Sequence, residues 1–270
     1  MTRDQLLFRL YTGVILLIAL GAICAPLITS YDPYESQIQM SLLPPSAEHY
    51  FGTDKLGRDL FTRVIYGARV SLTMTLFVVL LIAGLGTLIG VISAYVGGKV
   101  DTVIMRLADV FLAFPGIVLA IAIAGVLGGS AINAVIALVV VGWTKYARLA
   151  RSLTLKVKQQ DYLSAAITNG TRPADMIRRH ILPNITPIII VTAALDIGAI
   201  MMELAGLSFL GFGAQPPTPE WGLMLNEGRQ LIQTAPWLMI FPGLAIVIVV
   251  AVFNLWGDSL RDVMDPRKAN

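Results

Sequence analysis

Two acidic residues stand out because they interrupt an apolar run that is long enough to cross a membrane. Asp196 and Glu203 are the only charged residues between positions 185 and 204. Their spacing corresponds to about two turns of an α-helix, so a helix would place both on one face. Carboxylates at bilayer depth are costly and usually face a cavity or a partner rather than lipid. The spacing predicts that both carboxylates, with the neighbouring Met201 and Met202, line a polar path through the membrane.

Each of these residues also has a purely structural interpretation. Asp196 could satisfy a polar group on a neighbouring helix, and Glu203 could lie at the membrane interface. Methionines in apolar helices fill packing gaps more often than they bind soft metals, so Met201 and Met202 also fit a helix core. The sequence leaves these alternatives open.

Groups that could support catalysis are scarce. The phosphate-binding pattern Gly-x-x-x-x-Gly-Lys-Ser/Thr is absent, since the Gly-Gly-Lys run at 97–99 is not followed by Ser or Thr. His49 and His180 both fall in polar stretches, whereas an intramembrane serine protease needs a Ser–His pair at membrane depth. The single cysteine, Cys24, excludes an intrachain disulfide and a Cys-based metal cluster. The sequence therefore predicts no catalytic residue, no metal site and no cofactor held by the chain itself.

The elements that must position the carboxylates are membrane-spanning helices. Charged residues make up 14% of the 270 residues, against about 25% in soluble domains, and mean hydropathy is +0.74. The uncharged or nearly uncharged runs are 10–28, 72–96, 110–141, 185–204 and 237–257. The third run exceeds the roughly 20 residues that one span needs, and the Gly-Gly-Ser at 128–130 divides it. The chain is thus predicted to be an all-α membrane protein with six transmembrane helices.

Several local features refine this arrangement. Pro115 removes a helix hydrogen bond and is expected to kink the third span. Apolar residues at helical spacing over 59–69 predict a helix lying at the membrane interface. Arg106 and Asp109 are expected to form an interfacial pair. Close helix packing is predicted at Gly84, Gly86 and Gly90 of the second span.

The distribution of positive charge predicts the orientation. Lys and Arg accumulate on the cytoplasmic side of membrane proteins. Most of the 20 Lys and Arg residues fall at the termini and in two loops on the same side, with the largest group between positions 145 and 179. Both termini and this basic stretch are therefore expected in the cytoplasm. The net charge of +3 follows the membrane sides and is not a signal for nucleic acid.

The polar, basic stretch 161–183 lies between two apolar runs. Small residues at Ala165, Ala166 and Gly170 would allow a partner backbone to approach closely. A helix built from this stretch is expected to end at Pro183, because proline cannot continue the hydrogen-bond ladder. The alternative is an ordinary basic loop that contacts anionic lipid head groups.

This stretch resembles the EAA signature of bacterial binding-protein-dependent ABC importers. In that signature Glu-Ala-Ala is followed by three residues, a Gly, nine residues and then Ile-x-Leu-Pro. Here Ser164 replaces the Glu and His180 replaces the Ile, a change that is usual in the peptide-type branch. The resemblance implies that the stretch is a cytoplasmic loop that docks on an ATPase. The implied coupling residues are Ser164, Ala165, Ala166, Gly170, Asp175, His180, Leu182 and Pro183.

The resemblance extends along most of the chain. The stretches at 51–72, 203–213, 216–222 and 254–262, followed by Asp265-Pro266, resemble in order those of the C-type permease subunit of dipeptide, oligopeptide and nickel importers. This implies the type I ABC importer permease fold in a bacterial plasma membrane. The implied layout is an N-terminal segment with the first helix and an extracytoplasmic loop over 1–69, a permease core over 70–260 and a cytoplasmic tail over 261–270.

The resemblance also implies partners. These are a homologous B-type permease, two ATP-binding subunits that use ATP and Mg, an extracytoplasmic substrate-binding protein, and membrane lipid. Dipeptides, oligopeptides and nickel or other metal chelates stay open as substrates, although 195–198 with Met201-Met202, and 226–230, look somewhat closer to nickel-type permeases. A different class of function, a self-sufficient secondary transporter or channel formed by oligomerisation, also fits six spans.

Overall fold

The computed structural model describes residues 3–168 and 170–264, and this part of the chain is helical with no strand. The longer helices are α1 (Arg3–Ile23), α2 (Leu60–Val96), α3 (Gly98–Leu112), α4 (Gly116–Leu127), α5 (Ala131–Lys158), α6 (Asp161–Thr168), α7 (Leu182–Phe209), α8 (Trp221–Gly228) and α9 (Trp237–Met264). Short helical turns lie at Ala25–Ile28, Ile38–Met40, Pro173–Asp175 and Arg229–Leu231, and a π-helical turn covers Met176–Ile181. The predicted all-α class is confirmed.

The number of membrane spans agrees with the predicted six only if one bent pair of helices counts as a span. Within the described residues, α1, α2, α5, α9 and the helical run that leads from Pro173 through α7 are each long and apolar enough to cross a membrane. α3 and α4 pass the same test only together, and they meet at an angle of 90°. There are thus five spans, or six if the bent pair forms one.

The third predicted span is broken rather than kinked. α3 ends shortly before Pro115, and α4 begins directly after it. Proline lacks the N–H that would continue α3 and holds the preceding residue away from helical geometry. The predicted division at Gly-Gly-Ser is also present. Gly128 has a φ of 89°, and Ser130 caps α5 by accepting a hydrogen bond from the backbone N–H of Asn133 at 3.1 Å.

α2 begins earlier than the uncharged run indicated. The carboxylate of Asp59 accepts a hydrogen bond from the backbone N–H of Thr62 at 2.8 Å and caps the first turn. The helix predicted over 59–69 is present, but it is the first part of α2, and Arg63, which was expected to face the interface, is completely buried. The boundary placed between residues 69 and 70 falls inside this one helix.

α2 and α5 approach each other through glycine. A Cβ added to Gly86 would lie 2.5 Å from the carbonyl oxygen of Trp143, and one added to Gly90 would overlap the backbone of Ala147. These two positions therefore need glycine to let the helices pack closely. Gly84, for which the same role was predicted, has open space beside it.

Two apolar clusters of buried side chains hold the described helices together. The first joins α2, α4, α5, α6 and α7 and includes Val78, Leu138 and Ile185. The second joins α1, α2, α7, α8 and α9 and includes Trp221 and Phe253. Because α2 and α7 contribute to both clusters, they form the centre of the bundle, and a movement of α7 would disturb both.

Candidate functional site

The residues between α5 and α7 fold into short helical pieces at one end of the bundle. We call residues 161–168 and 170–181 the short-helix segment. α6 buries Leu163, and the π-helical turn buries Met176 and Ile181. These side chains join the apolar cluster that contains Ile185 of α7, while Tyr162 is exposed. The segment is therefore seated on the spanning helices by apolar contacts and presents polar groups outward.

The prediction that a helix ends at Pro183 is wrong. α7 begins at Leu182, and Pro183 lies in its first turn. Proline is tolerated there because the first N–H groups of a helix lack partners within the helix. The π-helical turn runs directly into α7, so the part of the short-helix segment from Pro173 onward forms one continuous helical run with α7 to Phe209.

The predicted coupling residues occupy different positions on this segment. Gly170 is exposed and has a φ of 73°, a turn conformation that other residues rarely adopt. Oδ1 of Asp175 lies 3.3 Å from Nε of Arg179, and the ring of His180 lies 6.3 Å from that of Tyr162. These residues thus form the outer side of the segment.

The remaining coupling residues divide between the core and the surface. Ala166 and Leu182 pack against the first apolar cluster, whereas Pro183 is exposed. The side chains of Ser164 and Ala165 lie outside the described part of the structure, as do Asp265 and Pro266. The role of these residues in coupling stays a prediction.

A cavity of about 190 Å³ opens between α3, α4, α5 and α7. Its apolar wall includes Phe111, Leu138 and Ile200. Its charged lining residues are Lys145 of α5 and Asp196 and Glu203 of α7. The two carboxylates therefore share a face of one helix, as their spacing predicted.

Asp196 is held by two neighbouring groups of α5. Nζ of Lys145 lies 2.6 and 2.8 Å from its two carboxylate oxygens, and the hydroxyl of Tyr146 donates to Oδ2 at 2.8 Å. The side chain of Lys145 is 57% exposed and that of Asp196 is 16% exposed. Asp196 thus satisfies a neighbouring helix and lines the cavity at once, so the two interpretations of this residue are compatible.

Glu203 differs from Asp196 in its surroundings. It is half-buried in the same cavity, and its carboxylate forms no hydrogen bond or ion pair within residues 3–168 and 170–264. Met201 is buried in the second apolar cluster, and Met202 is 54% exposed without lining the cavity. The structure therefore brings together the two carboxylates of the predicted path but not the two methionines.

Two further ion pairs join α3 to α5. Asp109 pairs with Arg148 rather than with Arg106, as the sequence had suggested. Asp101 accepts from Nε of Arg151 at 2.6 Å, and the hydroxyl of Ser93 donates to it at 2.6 Å. The partners are about 40 to 50 positions apart in the chain, so helical spacing gave no signal for either pair.

A network of buried charges lies at the opposite end of the bundle from the short-helix segment. Nε of Arg58 is 2.6 Å from Oδ2 of Asp54, and Nη2 of Arg63 is 3.0 Å from Oε2 of Glu227. Nη2 of Arg58 is also 3.5 Å from Oε1 of Glu227. These four residues, which we call the buried charge network, connect the start of α2 to α8. Sequence reasoning had placed Arg58 and Arg63 in an outward loop and missed the network.

Comparison with known proteins identifies the family. Residues 86–270 match the model of the binding-protein-dependent transport system inner membrane component family. The dipeptide transport system permease protein DppC of Alkalihalophilus pseudofirmus is 48% identical over 91% of this chain and 81% of its own length. The nickel transport system permease protein NikC of Escherichia coli K12 is 42% identical over 96% of this chain and 93% of its own.

Solved structures agree with this in fold. The MetNI methionine ABC transporter in an inward-facing conformation aligns with a TM-score of 0.54 at 18% identity, covering 73% of this chain and 95% of that one. An amino acid ABC transporter crystallised with histidines aligns with a TM-score of 0.50 at 21% identity, covering 77% and 94%. The predicted type I permease fold is thereby confirmed. The chain belongs to the binding-protein-dependent transport system inner membrane component family, and it is a multi-pass permease subunit of the branch that the dipeptide, oligopeptide and nickel signatures predicted.

Proposed function

We propose that this chain works as half of the membrane pathway of an ATP-driven importer. Its partners in this proposal are a homologous B-type permease, two ATP-binding subunits that use ATP and Mg, and an extracytoplasmic substrate-binding protein. The observation that carries the proposal is the short-helix segment, which presents polar groups outward and is rooted in the spanning helices through Leu163, Met176 and Ile181.

The geometry supports a mechanical role for this segment. Because the π-helical turn continues into α7, a displacement of the segment would be transmitted along the helix that carries Asp196 and Glu203. α5, which carries Lys145, ends where the segment begins. Coupling requires that the ATP-bound and ATP-free states of the ATPase favour different positions of the segment. The spans would then open alternately to the two sides of the membrane.

The cavity between α3, α4, α5 and α7 is the part of this pathway that the chain itself supplies. Charged side chains inside spanning helices avoid lipid, so Lys145, Asp196 and Glu203 support a polar route next to these helices. In the proposal, the homologous permease closes the open side of this cavity. Both chain termini lie in the cytoplasm of a bacterium in this arrangement, which the concentration of Lys and Arg around 145–179 supports.

The proposed substrates are short peptides or nickel chelates. Relatives carry the names of dipeptide, D,D-dipeptide, nickel and glutathione permeases at 42–48% identity. The dipeptide permease is more similar than the nickel permease, so the stretches that look nickel-like do not by themselves favour the metal. The binding protein would make the first selection among these substrates.

Substitution of Gly170 tests the proposed coupling. Gly170→Val places a β-branched side chain at a φ of 73°, where it is strained, although the space around it is open. We expect loss of ATP-dependent uptake and of substrate-stimulated ATP hydrolysis in the reconstituted importer, with normal membrane insertion. Gly97→Val is the matched control, because Gly97 has a φ of 71° and equally open surroundings in the turn between α2 and α3.

Two results would contradict the proposal. Normal uptake by Gly170→Val would show that the conformation of the short-helix segment at this residue is not needed for coupling. Uptake by the purified chain alone in liposomes, driven by an ion gradient and independent of ATP, would instead establish a self-sufficient secondary transporter.

A further inference from the structure

The cavity is lined by more acidic than basic side chains. Its lining contains two carboxylates, Asp196 and Glu203, and one ammonium group, that of Lys145. The ammonium lies within hydrogen-bond distance of both oxygens of Asp196. The carboxylate of Glu203 therefore lies in the cavity outside this pair.

Asp196 is poorly placed to bind anything further. Both of its oxygens face Lys145, and Oδ2 also accepts a hydrogen bond from Tyr146. A cationic ligand would have to displace the lysine before it could pair with this carboxylate. Glu203, in contrast, has its hydrogen-bonding capacity free within the described residues. An ionised carboxylate accepts several hydrogen bonds, so this group offers a ready site for a positively charged donor.

The carboxylate of Glu203 loses hydration at this location, and a positively charged ligand could offset that desolvation cost. The residue lies in α7, a membrane-spanning helix, and its cavity is walled by apolar side chains such as Phe111, Leu138 and Ile200. A carboxylate at such a place is expensive unless a counter-charge meets it. The apolar wall also strengthens any ion pair that forms there, because the local dielectric constant is low.

We propose that Glu203 is a specificity-determining residue that binds a positively charged group of the substrate during its passage through the cavity. The group is the ammonium of a peptide or the cationic centre of a nickel-bearing substrate, which share the same charge chemistry. This inference rests on the proposed function, since it requires that substrate enters the cavity. Asp196 and Lys145 already pair with each other beside this site. The carboxylate of Glu203 is the group that can accept a hydrogen bond from the substrate.

The test uses the complete importer in liposomes, with both permeases, both ATPases and the cognate binding protein. Dialanine and Ni²⁺ are supplied separately, each with binding protein at saturating concentration, and the initial uptake rate and the ATPase rate are measured. In Glu203→Gln we expect uptake to fall about tenfold, the effect of losing one hydrogen bond to a charged group. Glu203→Asp keeps the charge and is expected to retain most of the uptake.

The controls distinguish a failure of the role of Glu203 from a failure of the proposed importer function. Glu35→Gln removes an exposed carboxylate outside the cavity and is expected to transport at the wild-type rate. If the wild-type importer moves neither probe with ATP, the proposed function itself fails. A tenfold loss for dialanine alone identifies the ammonium as the partner, and a loss for Ni²⁺ alone identifies the metal centre.

Two outcomes would overturn the inference while leaving the proposed function intact. One is unchanged uptake of both probes by Glu203→Gln. The other is loss of the B-type permease when Glu203→Gln is purified, which would assign the carboxylate to a contact between the subunits.

Discussion

The buried charge network and the cavity both contain carboxylates and cationic side chains, but these groups are buried and paired in the network and partly exposed in the cavity. In the network, Arg58 and Arg63 are almost completely enclosed, and each faces carboxylates of both Asp54 and Glu227. In the cavity, Lys145 is more than half exposed, and Glu203 forms no hydrogen bond or salt bridge among the described residues. Charges that are desolvated and paired on all sides fix a structure. Charges that are left partly open can exchange partners, and this is what a transport route requires.

The largest effect is expected in the network. Arg63→Met would leave Asp54 and Glu227 buried near the single remaining cation, Arg58. Removing one partner of a buried ion pair costs about 3–5 kcal/mol, because the other charge stays desolvated. The measurement is the free energy of unfolding of the detergent-solubilised chain. Arg69→Met is the control, since Arg69 is exposed on the same helix and should change this energy by no more than about 0.5 kcal/mol.

The same comparison explains which features the sequence could predict. Five of the six predicted spans and the division at the Gly-Gly-Ser run depend on local composition, and these agree with the structure. The carboxylates of Asp196 and Glu203 share a cavity because a spacing of two turns is a local property of one helix. Local patterns of this kind can be read without knowledge of the neighbouring helices.

Features that depend on distant partners could not be predicted. Arg63 and Glu227 are 164 positions apart, so the helical spacing around Arg63 suggested an interfacial helix when its face was in fact buried by α8. Asp109 likewise pairs with the distant Arg148 rather than with the nearby Arg106, because the packing of α3 against α5 brings Arg148 close. Pro183 is a different case, because proline interrupts a helix only beyond its first turn, and Pro183 lies in the first turn of α7.

An intermediate effect is expected where α3 meets α5. Asp101→Asn weakens the charge-assisted hydrogen bonds from Arg151 and keeps the shape of the side chain. This pair is partly exposed, with Asp101 at 16% and Arg151 at 34%, so solvent screening reduces its contribution. We expect a loss of about 1 kcal/mol in the free energy of unfolding. Asp258→Asn, at an exposed site on α9, is the control, and equal losses in the two variants would show that α3 is not held by this pair.

A pH-dependent effect is expected at Glu220, a buried carboxylate that forms no salt bridge among residues 3–168 and 170–264. Burial raises the pKa of Glu220, although the backbone N–H groups of Gly222 and Leu223 donate to its oxygens and oppose the shift. A raised pKa in the folded state means that folding favours the neutral form. The contribution of this group is therefore complete below the pKa of the unfolded chain and is lost as pH rises through the folded pKa.

The wild-type chain should consequently lose stability relative to Glu220→Gln as pH rises through that raised pKa. The measurement is the difference between the two thermal midpoints across a pH series. Glu35→Gln provides the baseline for removing an exposed carboxylate. A difference that stays constant with pH would mean that the hydrogen bonds from α8 fully offset the effect of burial on the pKa.

The smallest effect on stability is expected in the cavity itself. Lys145→Met removes the ammonium from Asp196, yet Tyr146 still donates to that carboxylate at 2.8 Å. Because Lys145 is 57% exposed, it gives up little hydration to form the pair, and such pairs contribute about 0–1 kcal/mol. The free energy of unfolding should therefore fall by less than about 1 kcal/mol, while ATP-dependent uptake changes because the cavity gains a second open carboxylate. A loss as large as that of Arg63→Met would mean that the cavity charges are structural in the same sense as the buried network.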